Sequence, residues 1–181
     1  MKPLIISCNV TVDGYMSGPD NSLAFIVPDR QLEDELAGKF ESDADTIVVG
    51  RQTFLDMAAY WPAVDSKMAA WLNNTPKLVL STDRNLDVGA WKNSSVAVGD
   101  GVEQIRRLKK TSGRALVAFG GVRTLRSLVA ANLADEYWLK VSPTIVGRGG
   151  SMFSDVIERR AVKLSSAKSF PSGVIALVYS A

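Results

Sequence analysis

The sequence reads as an α/β domain built on a largely parallel sheet, and three observations carry that reading. Short apolar runs of strand length, such as residues 46–49 and 115–119, have the look of strands buried on both faces. Between them lie stretches whose apolar residues recur at helical spacing. The joints from run to helix are marked by glycine or by hydroxyl side chains, and strand and helix alternate for most of the chain.

Residues 4–10 form the first expected strand, with Cys8 inside it as a small buried hydrophobe, and Asp13-Gly14 is a turn signal. Pro28-Asp29 opens a helix in which Leu32, Leu36 and Phe40 are spaced by four and share a face. Asp29, Glu33, Asp34 and Glu35 crowd its first turns, where the helix dipole favours negative charge. Capping or solvation accounts for each of these carboxylates, and one of them could turn into a pocket.

Residues 46–49 are a second strand, which runs at once into Gly50-Arg51-Gln52-Thr53-Phe54. Tyr60-Trp61-Pro62 is an aromatic loop, either a hydrophobic plug or a pocket wall. Val64, Met68, Trp71 and Leu72 fit a short helix. Residues 76–80 are a third strand with the polar end Ser81-Thr82-Asp83-Arg84, and residues 95–98 a fourth. Asp100 caps a helix with Val102, Ile105 and Leu108 inward and Arg106, Arg107, Lys109 and Lys110 on a solvated basic face. Residues 115–119 precede Gly120-Gly121, then a helix with Val122, Leu125 and Val129 on one stripe and Arg123 and Arg126 off it. Residues 135–141 are a sixth strand, and residues 143–151 a loop with Gly147, Gly149 and Gly150. Residues 162–169 and 174–179 form an antiparallel closing pair. No repeat or linker interrupts this order, so residues 1–181 are expected to form one domain.

The chemistry concentrates at the joints. A glycine turn lets a ligand approach the backbone closely, and the free N–H groups of the following helix suit an anion. Arg123 and Thr124 add a guanidinium and a hydroxyl at one such joint, and Arg51 and Thr53 do so at another. A plain strand-to-helix connection, with glycines for packing, is the alternative. Three joints of this kind, at strand ends where α/β sheets bind ligands, point to one extended phosphorylated ligand such as a dinucleotide. No Gly-x-Gly-x-x-Gly follows the first strand.

Composition excludes several classes. Histidine is absent and Cys8 is the one cysteine, so no metal site and no internal disulfide is expected. Acid–base chemistry falls to Asp, Glu, Lys, Tyr, the thiol or water. A net charge of +2 gives no ground for nucleic-acid or membrane binding. No signal peptide and no apolar run of membrane-spanning length is read, so a cytoplasmic location is expected.

Taken in order, several segments resemble a known family: Thr11-Val12-Asp13-Gly14-Tyr15-Met16, Val49-Gly50-Arg51-Gln52-Thr53-Phe54 and Leu78-Val79-Leu80-Ser81, followed by Phe119-Gly120-Gly121-Val122-Arg123-Thr124-Leu125, Leu133-Ala134-Asp135-Glu136-Tyr137 and Pro143-Thr144-Ile145-Val146-Gly147-Arg148-Gly149. The chain resembles the dihydrofolate reductase-like fold, in the group related to the C-terminal reductase domain of the bifunctional riboflavin-biosynthesis deaminase/reductase. The resemblance implies a three-layer domain, a mostly parallel central sheet of about eight strands with an antiparallel C-terminal edge, and NADPH as hydride donor. It implies that Gly50, Arg51, Gln52 and Thr53 hold adenosine-side phosphates, and that Ser81, Thr82 and Arg84 lie near the ribose 2′-phosphate. Gly120, Gly121, Val122, Arg123 and Thr124 would cradle the pyrophosphate, and Val10, Asp13 and Gly14 would lie by the nicotinamide. Asp83 dissents from a 2′-phosphate and leaves room for NADH. For a catalytic acid in the first helix the candidates are Asp29 and Asp34, and the spacing does not choose between them.

The function expected is an NADPH-dependent reductase. It would deliver hydride to a C=N or C=O of a small heterocyclic or sugar-derived substrate, such as a pterin or a ribosylaminouracil. A non-catalytic NADP(H)-binding module on the same fold is the alternative. The expected partners are a small-molecule substrate and, from the resemblance, a second copy in a homodimer. The surface of that pairing and the role of residues 147–151 are not legible.

Overall fold

The computed structural model describes residues 1–181. Five helices, α1 (Arg30–Asp43), α2 (Arg51–Tyr60), α3 (Lys67–Asn74), α4 (Gly101–Lys109) and α5 (Val122–Ala130), flank one eight-stranded sheet. Its strands are β1 (Leu4–Thr11), β2 (Ala44–Gly50), β3 (Lys77–Ser81), β4 (Ser94–Val98), β5 (Ala115–Phe119), β6 (Glu136–Ser142), β7 (Lys163–Ser169) and β8 (Ile175–Ser180), in the order β4-β3-β2-β5-β1-β6-β8-β7. The first six run parallel. β8 is antiparallel to both of its neighbours, so the edge strand β7 runs with the core strands again. The expected class is therefore observed, closing antiparallel pair included. The aromatic loop proves to be a single 3₁₀ turn, Trp61–Ala63, wound onto the end of α2.

Two apolar layers sandwich the sheet. Ile5, Ile47, Val49 and Val117 meet Leu32, Leu36 and Phe40 of α1, Phe54 of α2 and Trp71 of α3 on one face. Leu4, Ile6, Val48, Leu116 and Ala118 meet Ile105 of α4 and Leu125, Leu128 and Val129 of α5 on the other. Successive strand residues point to opposite faces, so β5 and residues 47–49 of β2 must be apolar, as their sequences are. Phe40 is the keystone of the first layer. Its ring stacks on Trp71 and Trp138 with centroids 4.9 and 5.2 Å away and meets Phe119 edge-on. No helix is long and apolar enough to cross a membrane.

Three of the five helices are closed by side-chain caps. Asp29 accepts from Leu32 N, Ser66 from Ala69 N, and Asp100 from Val102 N and Glu103 N. The basic face of α4 is partly spent on structure, because Arg106 pairs with Glu103 and Lys109 with Asp135.

One charge is buried on purpose. Lys77, 1% exposed, donates to the carbonyl oxygens of Leu72 at 2.7 Å and Thr75 at 2.8 Å, with its ammonium 4.5 Å from the centre of the Trp91 ring. It thereby ties the C-terminus of α3 to β3. Burial pushes its pKa down to about 8, with Lys92 adding to the effect. We expect Lys77→Ala to cost about 3 kcal/mol, for unpaired carbonyls and a cavity under Trp91. The pKa is lower folded than unfolded, so the unfolded chain binds more protons between pH 8 and 10.5 and burying the lysine becomes less costly there. The stability gap between wild type and variant, read by thermal melts, should widen as pH rises through that window. A gap that narrows contradicts this reading.

Candidate functional site

The carboxyl ends of β2 and β5 lie side by side, because Val49 is in register with Phe119. The next residues are Gly50 and Gly120, and the helices that follow start next to each other. The two joints are interlocked. Thr53 of α2 accepts a hydrogen bond from Gly121 N at 2.7 Å and packs against Gly120, where a Cβ would stand 2.8 Å from its hydroxyl. Reciprocally, a Cβ on Gly50 would overlap the hydroxyl of Thr124 of α5. Gly120 also has φ +130°, a region that side chains rarely adopt. These glycines are required by two helix starts crossing closely.

The N-caps of α2 and α5 are Gly50 and Gly121, and neither helix has a side-chain cap. The two helices at the interlock therefore present their first turns open, whereas the other three are sealed by Asp or Ser. Around the α5 start lies a cleft of about 670 Å³ lined by Val122, Arg123, Arg126, Arg148 and the Gly149-Gly150 pair. Arg126 donates to Ser151 O at 3.0 Å and faces Asp155. None of the chain's five ion pairs uses Arg51, Arg84, Arg123 or Arg148. An open helix start with the uncompensated guanidinium groups of Arg123 and Arg148 in one cleft suits an anion, and Arg51 stands at the neighbouring open start of α2.

The remaining expected site residues fall less uniformly. Gln52 donates along its own helix to Asp56 at 2.9 Å. The Ser81 hydroxyl is buried and accepts from Asp83 N, while Asp83 accepts from Asn85 N. Of that strand end, Thr82 and Arg84 are the exposed groups. Val10 is buried in the layer beneath α5. Asp13 accepts from Gly147 N at 2.7 Å and from Val146 N, and its pKa is lowered by the Thr11 hydroxyl and these amides. Its carboxylate therefore pins the 143–151 loop, and Gly14 makes the turn at φ +83°. The same loop is held at its far end by a Ser17–Gly150 bridge, and a Cβ on Gly150 would meet the Ser17 hydroxyl at 2.8 Å. The role of residues 147–151 that the sequence hid is thus to join the turn after β1 to the start of α5.

The two acids of α1 are placed differently. Asp29 is the N-cap, and its pKa is lowered first by the Ser172 hydroxyl and then by Leu32 N, which keeps it ionised. Asp34 is half-buried on the helix. Glu33, which the sequence left among capping carboxylates, is held above the usual range by desolvation and by Asp34, and it feels Lys140.

Sequence reasoning also missed the polar run on the sheet itself. Ser7, Asn9 and Thr11 of β1 share the α1 face with Ile5. Their register partners on β6 are Trp138, Lys140 and Ser142. Ser7, Thr11 and Ser142 are each 1% exposed, and Asn9 and Lys140 are half-buried. Toward the carboxyl ends of β1 and β6, the apolar layer therefore gives way to hydroxyl, amide and ammonium groups. The signal was present as Ser-x-Asn-x-Thr in a strand that should otherwise be apolar throughout. Cys8 points to the opposite face, buried, with its thiol pushed up to about 12 by burial and 3.9 Å from the Met152 sulfur. Its expected inert role fits that setting.

Residues 2–176 match the RibD C-terminal domain family, and the chain belongs to that family. Among curated relatives, it is 28% identical over 187 residues to the uncharacterized protein YyaP of Bacillus subtilis, a match covering 98% of this chain and 94% of that one. Among solved structures it superposes on the diaminohydroxyphosphoribosylaminopyrimidine deaminase/5-amino-6-(5-phosphoribosylamino)uracil reductase of Thermotoga maritima. The TM-score is 0.70 at 16% identity, over 99% of this chain and 56% of that one. It also superposes on dihydrofolate reductase from Enterococcus faecalis complexed with NADP(H) and RAB-propyl, with TM-score 0.63 at 17% identity, over 98% of this chain and 95% of that one. The fold is a reductase-type, dihydrofolate reductase-like fold.

The interlock is open to test. We expect Gly50→Ala to cost about 2 kcal/mol by overpacking against Thr124, and much less in a Thr124→Ala background. A double-mutant cycle by urea denaturation measures the coupling. Equal costs in the two backgrounds contradict the packing described.

Proposed function

We propose that the protein is an NADPH-dependent reductase of a small heterocyclic or sugar-derived substrate. The observation that carries this reading is the pair of uncapped helix starts, α2 and α5, set side by side and carrying Arg51 and Arg123, which none of the chain's ion pairs uses. A dinucleotide pyrophosphate is the anion whose two charged centres match two adjacent open helix ends. NADP(H) in a dihydrofolate reductase of the same fold supports the choice of cofactor.

In this reading the joint residues Gly50, Arg51 and Thr53, with Gly120, Gly121, Val122, Arg123 and Thr124, hold the phosphates. Thr82 and the unpaired Arg84, exposed at the end of β3, supply the contacts that favour a ribose 2′-phosphate. Bound NADPH would supply the hydride, chemistry that no side chain of this chain provides. The substrate side is the polar floor of β1 and β6 beneath the start of α1. Of the α1 acids, Glu33 is the better proton donor, since desolvation and the neighbouring Asp34 raise its pKa whereas hydrogen bonds lower that of Asp29.

The test is a titration with NADPH and NADH followed by tryptophan fluorescence. We expect Arg123→Ala and Arg51→Ala each to weaken NADPH about tenfold, the scale of one lost charge-assisted contact. Arg84→Ala should narrow the preference for NADPH over NADH. Absence of saturable binding by either cofactor overturns the reading.

A further inference from the structure

The two part- or fully buried lysines near the sheet interior are treated very differently by the chain. The Lys77 ammonium is satisfied by backbone carbonyls at the end of α3. Lys140 stands on β6, one of the two strands flanking the central strand β1, and is partly buried. Its ammonium has one hydrogen bond within the chain, to the Ser7 hydroxyl at 3.3 Å, and forms none of the chain's ion pairs. An ammonium brings three donors, and a partly desolvated one with a single long neutral partner is costly to keep. Asn9, its register partner on β1, shares its face and adds an amide that can donate to the same ligand atom. Glu33 on α1 and the thiol of Cys8 on β1 are the titratable groups that act on it, and burial lowers its pKa. Glu33 makes no ion pair with Lys140.

We propose that Lys140, with Ser7 and Asn9, is the recognition point for an anionic oxygen of the substrate. This face would then take a small planar compound that carries a carboxylate or a deprotonated lactam oxygen, and would disfavour a cationic heterocycle. This rests on the reading of the β1–β6 face as the substrate side, and it makes Lys140 a specificity-determining residue. It does not depend on which cofactor is bound.

The test uses the full chain without cofactor and three probes: orotate, which is a planar carboxylate, neutral uracil, and 2,4-diaminopyrimidine, which can carry a positive charge. Binding is read by saturation-transfer NMR and calorimetry in wild type, Lys140→Met, Lys140→Gln and Lys140→Arg, with thermal melts to confirm folding. We expect orotate to bind at least about tenfold more tightly than uracil, as for one charge-assisted contact. That advantage should vanish in Lys140→Met and Lys140→Gln and survive in part in Lys140→Arg, while NADPH titrations stay unchanged in all three. Lys140-dependent orotate binding in a protein that binds no NADPH would sink the cofactor reading and leave this one standing. Orotate binding unaltered by Lys140→Met, no orotate binding to wild type, or tighter binding of 2,4-diaminopyrimidine would each overturn the proposal.

Discussion

The molecule depends on the close crossing of two strand-to-helix joints. β2 and β5 are neighbours in register, so Gly50 and Gly120 must end at the same level, and α2 and α5 must leave from the same place toward opposite faces. Two helix starts with side chains at those positions would collide. Glycine at both removes the Cβ atoms, and threonine on each helix fills the space the other's glycine leaves. Each joint therefore fits only in the presence of the other. One hydrogen bond, Gly121 N to Thr53, ties them.

That packing has an electrostatic consequence. A glycine N-cap offers no side-chain acceptor, so two helix starts lie open beside each other, that of α5 at the wall of the cleft. Of the arginines that line it, Arg123 and Arg148 stay out of the chain's ion pairs and Arg126 faces Asp155, while arginines and lysines elsewhere are spent on Glu103, Asp135 and carbonyl oxygens. The loop carrying Gly149 and Gly150 is pinned to this cleft from the other side by Asp13 and Ser17. On the opposite face of β1 the same strand ends carry a hydroxyl and ammonium surface. The two halves of the site thus share one strand, whose Val10 packs one way and whose Asn9 and Thr11 face the other.

Much of this was legible in the sequence, for physical reasons that differ by element. β5 and residues 47–49 of β2 declare themselves because burial on both faces leaves only apolar residues. α1 declares its face through Leu32, Leu36 and Phe40, and its start through Asp29. The glycine joints were visible as motifs, but their mutual fit was not, since nothing local relates Gly50 to a threonine 74 positions later; the sheet order makes that contact. The task of Asp13 was hidden for the same reason, whereas Ser81 is taken up locally, by the amide of Asp83 two residues on. Both look like ligand groups in isolation, and both are consumed by nearby backbone amides. Lys140 escaped notice because it sits in an alternating strand whose edge or centre position only the topology decides. Its partner Ser7 is 133 residues away.

The central claim is that one dinucleotide spans both open helix starts. Hydrogen–deuterium exchange with and without NADPH tests it most directly. The account predicts slowed amide exchange on binding in two segments together, residues 50–54 and 120–125, with little change in the capped starts of α3 and α4. Protection of one segment without the other, or none in either at saturating NADPH, would contradict it.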